Sequence, residues 1–290
     1  MTKRSRIRYF DCDDCAGKLQ LFRIVRIILY FHGKIPCIMR PGLLLLIIVL
    51  LTTPLSAQNN RIMIGAASDL KFALDSIIAS YRNTHPGVVV SVSYGSSGKL
   101  FEQILNGAPF HIYFSADIDY PRRLQERKLT GSDVHTYGFG RLVLWSAKFD
   151  PRNDGIDLLR NPNVKKVAIA NPLHAPYGRK AMEVLTYYKL QDEVKPRLVY
   201  GENIAQTAQF VTSGAADVGI IALALALSPT MKSQNGHFYI FPDGTHSDLE
   251  QGFVVLKQAQ ARQDVAAFVA YMNGAEAKQI LAYFGFREKP

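Results

Sequence analysis

The chain has 290 residues, a formal net charge of +10, three cysteines and a hydrophobic fraction of 48%. That length fits one large or two medium domains, and the apolar content excludes a disordered chain. Nine basic and three acidic residues fall within 1–57, and Cys12, Cys15 and Cys37 all precede residue 58. The remainder is nearly neutral and free of thiols, which argues against a nucleic-acid binder, a disulfide scaffold and a cysteine-based enzyme or metal centre.

Residues 39–57 read as a secretory signal peptide: Met39-Arg40-Pro41-Gly42, an unbroken apolar run from Leu43 to Leu51, then small residues ending at Ser56-Ala57. The expected cut follows Ala57, and the alternative is an uncleaved anchor. The apolar run is too short to span a bilayer comfortably as a helix. Because Met39 opens a complete signal by itself, translation is expected to start there, with residues 1–38 an upstream artefact. Cys12-x-x-Cys15 stands alone, without a second pair, and is weak evidence for zinc or redox chemistry.

Beyond the leader, β-branched runs alternate with amphipathic ones. Strands are expected at 62–67, 88–94, 112–115, 142–146, 166–170, 198–200, 218–222, 238–241 and 253–256. Leu70, Ala73, Leu74, Ile77, Ile78 and Tyr81 recur at helical spacing and stop before His85-Pro86-Gly87. Leu100, Ile104 and Leu105 mark a second helix. Ala181, Val184, Leu185 and Tyr188 mark a third, and Ala205, Ala208 and Val211 a fourth. Val265, Phe268, Val269, Met272 and Ile280 predict a helical C-terminus. The apolar run 218–227 reads as a buried strand continuing to a turn at Pro229. The alternation gives an α/β fold with two mostly parallel sheets in two lobes.

Four strand-to-helix junctions carry small or polar residues: Ala66-Ala67-Ser68-Asp69, Tyr94-Gly95-Ser96-Ser97-Gly98-Lys99, Ala175-Pro176-Tyr177-Gly178-Arg179 and Gly201-Glu202-Asn203-Ile204. A helix start exposes unpaired N–H groups and a partial positive charge, so it can hold an oxyanion without a basic side chain. In open α/β sheets ligands sit at the carboxyl ends of strands, where these junctions lie. Ser and Asn are also ordinary N-caps, and most caps bind nothing. Asn203 followed by Gln206 has capping-box spacing. Asp69 argues against an anion if it faces the cleft and favours the helix dipole if it points outward.

The histidines show no metal spacing, and there is no G-x-S-x-G elbow, Walker loop or dinucleotide fingerprint. Tyr187-Tyr188, at helical spacing, reads as one surface and one core residue. A secreted hydrolase using Ser96 or Ser97 remains a rival, and it needs a histidine base within reach of either serine.

In order along the chain, Ala66-Ala67-Ser68-Asp69-Leu70, the 94–100 stretch YGSSGKL, Gly107-Ala108-Pro109 with Ser115-Ala116-Asp117, the 168–178 stretch AIANPLHAPYG, Ala216-Asp217-Val218-Gly219-Ile220 and the ending 271–286 carry a resemblance. The chain resembles the periplasmic molybdate-binding proteins of ABC importers, across residues 61–287. The resemblance implies a type II periplasmic-binding-protein fold with a hinge. Lobe 1 would be 58–139 plus 245–290 and lobe 2 would be 140–244, with crossings near 138–141 and 242–246.

The resemblance also implies a molybdate or tungstate ligand held by neutral donors at Ser68, Ser97, Tyr177 and Ile204. Ser96, Asp69 and Asn203 are secondary candidates. No catalytic residue, cofactor or directly ligated metal ion is expected. The implied partners are an ABC permease and its ATPase subunit, with a monomeric, exported, periplasmic protein and no nucleic acid. Sulfate, thiosulfate or a ferric ion on the same fold are alternatives. Some family members present a tyrosine hydroxyl where this chain has Ala222, which leaves one donor to be replaced. Trp145, just past the first crossing, is expected to report closure by its emission. With backbone donors that cannot be protonated away, binding is expected to vary little across neutral pH.

Overall fold

The computed structural model describes residues 61–288. The signal peptide, the Cys12-x-x-Cys15 pair and the start at Met39 lie outside the described residues. Two five-stranded sheets form the frame. The first contains β1 (Arg61–Ala67), β2 (Val89–Gly95), β3 (Ile112–Ser115), β4 (His135–Gly140) and, last in the chain, β10 (Leu249–Val255), in the order β2-β1-β3-β10-β4. The second contains β5 (Leu142–Ser146), β6 (Val167–Ala170), β7 (Leu198–Gly201), β8 (Val218–Ala222) and β9 (His237–Ile240), in the order β7-β6-β8-β5-β9.

The two sheets repeat one plan. β1 pairs parallel with β2 and β3, and β6 pairs parallel with β7 and β8. In each sheet the fourth strand alone is reversed: β10 is antiparallel to β3 and β4, and β5 is antiparallel to β8 and β9. The edge strand of each sheet leads into the reversed strand of the other. The first crossing is short, with only Arg141 between β4 and β5. The second runs from Ile240 to Leu249.

Inner strands read as apolar runs because both faces are covered. In β8 all five residues are buried, and in β1 Ile62, Ile64, Ala66 and Ala67 are. The helix Lys71–Thr84 buries the predicted face of Ala73, Leu74, Ile77, Ile78 and Tyr81. Tyr187 is exposed, whereas Tyr188 packs against the core.

Some elements differ from expectation. β4 (sequence HTYGFG) was not anticipated, because two glycines lower its strand propensity and it lies at an edge. The helix Asp119–Glu126 is almost wholly polar and buries only Pro121 and Leu124, so it offers no apolar stripe. β10 begins at Leu249 rather than 253, its first half disguised by Glu250, Gln251 and a bulge before Gly252. The run 218–227 does not stay extended: the strand ends at Ala222, and Leu223–Ala226 turn helical. Ala and Leu are strong helix formers, and among the described residues the ladder partners of this strand end at Ala222. Trp145 is buried in the core of the second sheet, paired with Gly219 and Phe238.

Candidate functional site

Helices begin where strands end, and four of those beginnings meet. β1 delivers Ser68 at the head of a 3-10 turn that runs straight into Lys71–Thr84. β2 ends at Gly95, and Ser96 precedes the helix Ser97–Leu105. After β6, Tyr177 is the second residue of Pro176–Tyr187, with proline preset at the first position. After β7, Ile204 opens Ile204–Thr212. Ser68, Ser96, Ser97, Tyr177 and Ile204 line one small cavity of about 10 Å³, together with Asp69, Gly95 and Ala175. That is the room of about one water molecule. The first two junctions come from the first sheet and the last two from the second.

Each donor has a distinct local state. The Ser68 hydroxyl donates to Asn203 Oδ1 at 3.1 Å and accepts from the Ala205 amide at 3.3 Å, so it bridges the sheets. Asn203 does not line the cavity; its Oδ1 caps the helix by accepting from the Gln206 amide at 3.0 Å. Gln206 reaches back to the Glu202 amide at 2.6 Å, one residue earlier than a capping box requires. Ser97 Oγ accepts from the Ala116 amide at 3.0 Å, which leaves its hydroxyl hydrogen to donate elsewhere. Ser96 Oγ is buried with no partner. The amides of Tyr177 and Ile204 sit in first turns, where no intrahelical acceptor exists.

Two glycines allow these backbones to converge. The Gly98 amide donates to the His174 carbonyl across the cleft at 2.9 Å, and a Cβ at Gly98 would meet that oxygen at 2.7 Å. A Cβ at Gly178 would overlap the Ala170 carbonyl. The same face is tied by Arg179 donating to Asp117 at 2.6 Å and by a Lys99–Glu202 ion pair.

Among the described residues, no Lys, Arg or His lines the cavity, and its ionisable residues are Asp69 and Tyr177. Asp69 does not point to solvent: it is buried, which removes the outward reading that the sequence left open. Burial pushes its carboxyl up to about 6, while Gln251, Tyr177 and nearby backbone amides pull it down. Burial also holds the Tyr177 and Tyr137 phenols well above their ordinary value. These side chains form a cluster behind the cavity. Tyr137 donates to Gln251 Oε1 at 2.6 Å, and Gln251 Nε2 donates to the Tyr177 hydroxyl at 2.9 Å. Sequence reasoning missed Gln251 and Tyr137. A glutamine between Glu250 and Gly252 looks like surface, and only the fold shows it fully buried.

A larger groove of about 480 Å³ runs past Asp117, Asp119, Arg122, Lys180, Asp248 and Glu250. Most of its charges are paired, Arg122 with Asp119 and Glu250, Lys180 with Glu183 and Asp117 with Arg179. It lacks the convergent unpaired donors of the smaller cavity. The hydrolase rival fails on geometry. Ser96 Oγ has no partner, Ser97 Oγ faces a backbone amide, and the His174 ring is engaged with the Glu202 carbonyl at 3.0 Å. Among the described residues, no group of three or more His, Cys, Asp or Glu could hold a metal ion.

The family model for bacterial extracellular solute-binding proteins matches residues 62–287. A molybdate-binding protein ModA of Azotobacter vinelandii is 32% identical over 232 residues, covering 80% of this chain and 91% of its own length. A molybdate-binding protein ModA of Rhodobacter capsulatus is 34% identical over 203 residues, covering 69% and 78%. The solved structure of the Azotobacter vinelandii periplasmic molybdate-binding protein superposes with a TM-score of 0.74 at 30% identity, over 79% of this chain and 100% of that one.

Proposed function

This chain belongs to the bacterial extracellular solute-binding proteins, and we propose that it captures molybdate, and tungstate with it, for delivery to an ABC permease and its ATPase. It is a binding protein and not an enzyme. The ligand is held between lobe 1 (58–139 plus 245–290) and lobe 2 (140–244) by the hydroxyls of Ser68 and Ser97 and the amides of Tyr177 and Ile204. The observation that carries this reading is the meeting of four helix starts, two from each sheet, at one cavity lined by no basic side chain.

Each helix start carries roughly +0.5 of an elementary charge, so four of them amount to about +2, the complement of a tetrahedral dianion. The buried, unpartnered Ser96 hydroxyl supplies the donor that Ala222 lacks. Ligand contacts both lobes only in the closed form, so binding favours closure, and entry requires the lobes to part. Sulfate carries the same charge and accepts the same bonds; selectivity against it rests on cage size. The protein acts in the periplasm as a monomer, after cleavage of its signal peptide near Ala57.

Calorimetric titration of ligand-free residues 58–290 with molybdate, tungstate and sulfate tests the proposal. One-to-one binding of the first two without sulfate supports it. Binding of sulfate alone overturns the ligand and keeps the site. No heat from any of the three overturns both.

A further inference from the structure

One ionisable group is sealed into the wall of this otherwise neutral cage. Asp69 directly follows Ser68, is 1% exposed, and neither of its carboxylate oxygens has a well-formed hydrogen bond. Tyr177 from the helix Pro176–Tyr187, Gln251 from β10 and Tyr137 from β4 stand around it. Tyr137 donates to Gln251 and Gln251 to Tyr177, which leaves the Tyr177 hydroxyl hydrogen and the second Gln251 N–H to face the carboxylate.

Among the described residues, no cation faces the carboxylate. The helices Ile204–Thr212 and Leu223–Ala226, both packed on the 3-10 turn that carries Asp69, contain no ionisable residue. Lys71, in the helix that follows, pairs with Asp75 at the surface, and Lys99 pairs with Glu202.

The charge balance then has one solution. Four helix starts supply roughly +2, which offsets a dianion and leaves nothing to compensate a third negative charge buried beside it. We propose that Asp69 is protonated whenever the oxyanion is bound, so that capture of the ligand takes up one proton. The inference rests on the molybdate reading.

Asp69 is a positioning residue. It acts through Tyr177, whose hydroxyl belongs to the buried cluster and whose amide belongs to the cage. Protonation therefore couples to closure, because Tyr177 comes from the opposite lobe. The raised carboxyl in the closed form, at about 6, agrees with this placement, and a dianion beside it raises it further. Binding that takes up a proton weakens as pH rises, by up to about tenfold per pH unit, between the carboxyl's value in the ligand-free protein and its higher value in the complex. This replaces the expectation, drawn from backbone donors alone, that binding varies little across neutral pH.

The test is calorimetric titration of the exported protein with sodium molybdate and with sodium tungstate between about pH 6 and 8.5, where both remain dianions, in two buffers of different ionisation enthalpy. The expected result is close to one proton taken up per anion near neutrality, with Kd rising along that slope. Asp69→Asn should bind with a flat pH profile and no proton uptake. Binding without proton uptake, or parallel pH profiles for wild type and variant, overturns the inference and leaves the molybdate reading standing. Absence of binding at every pH overturns both. Should Asp69→Asn fail to fold, the proton count on the wild type decides alone.

Discussion

The two sheets bring different materials to the proposed site. Junctions of the first place the side-chain hydroxyls of Ser68, Ser96 and Ser97 at the cavity, while junctions of the second place the helix starts at Tyr177 and Ile204 there, whose backbone amides are the proposed donors. A hydroxyl can be removed by one substitution, but an amide survives almost any change of side chain. The first half is therefore open to side-chain substitution, and the second can be altered only by moving or blocking the backbone.

The largest expected effect comes from moving that backbone. Gly178→Ala places a methyl group on the Ala170 carbonyl, with no flexible side chain to give way. It should cost about 3 kcal/mol of stability and abolish anion binding, measured by denaturant unfolding and calorimetry. Next comes the acid in the wall. Burial raises Asp69 above its unfolded value, so full stability is present below about pH 4 and is lost as pH rises through about 6. Asp69→Asn should therefore gain on the order of 2–3 kcal/mol over wild type at pH 8 and little at pH 4. Equal unfolding curves at pH 8 would sink that assignment.

Ile204→Pro separates amide from side chain. Proline suits a first helical position, and Asn203 already has the extended backbone that a following proline prefers. Removing this one N–H should weaken molybdate by about tenfold to a hundredfold, while Ile204→Val leaves it nearly unchanged. If both variants bind alike, the amide makes no contact.

Ser97→Ala strands the buried Ala116 amide as well as removing a donor, with a stability loss of about 1–3 kcal/mol expected in thermal unfolding. Lys99→Ala, which breaks an ion pair exposed on both sides, should change stability by less than about 1 kcal/mol, and that effect should vanish in high salt.

Much of this was legible in the chain because each lobe repeats one local rule. A β-branched run ends, small polar residues follow, and a helical stripe begins. Ser68, Ser97, Tyr177 and Ile204 all sit at such points, and the fold brings these junctions together at one cavity. What stayed hidden depends on long-range placement. Gln251 and Tyr137 are polar residues on strands, and only sheet pairing buries the first and half-buries the second. β4 shows too little alternation to be seen. The polar helix Asp119–Glu126 escaped for the opposite reason, since it packs through only two residues. The side chain of Asp69 could not be oriented from the sequence, because a first-turn acid is as compatible with solvent as with a buried cluster. Trp145 was read as a closure reporter from its position alone, yet it lies in the core of the second sheet and is not among the cavity-lining residues.

The most direct test of the neutral cage is a crystal structure of the protein grown with molybdate, with the metal located by its anomalous scattering. One strong peak is expected between the two lobes, with its oxygens within hydrogen-bond distance of Ser68, Ser97 and the amides of Tyr177 and Ile204. A peak in the charged groove beside Arg122 and Lys180, or none, would contradict it.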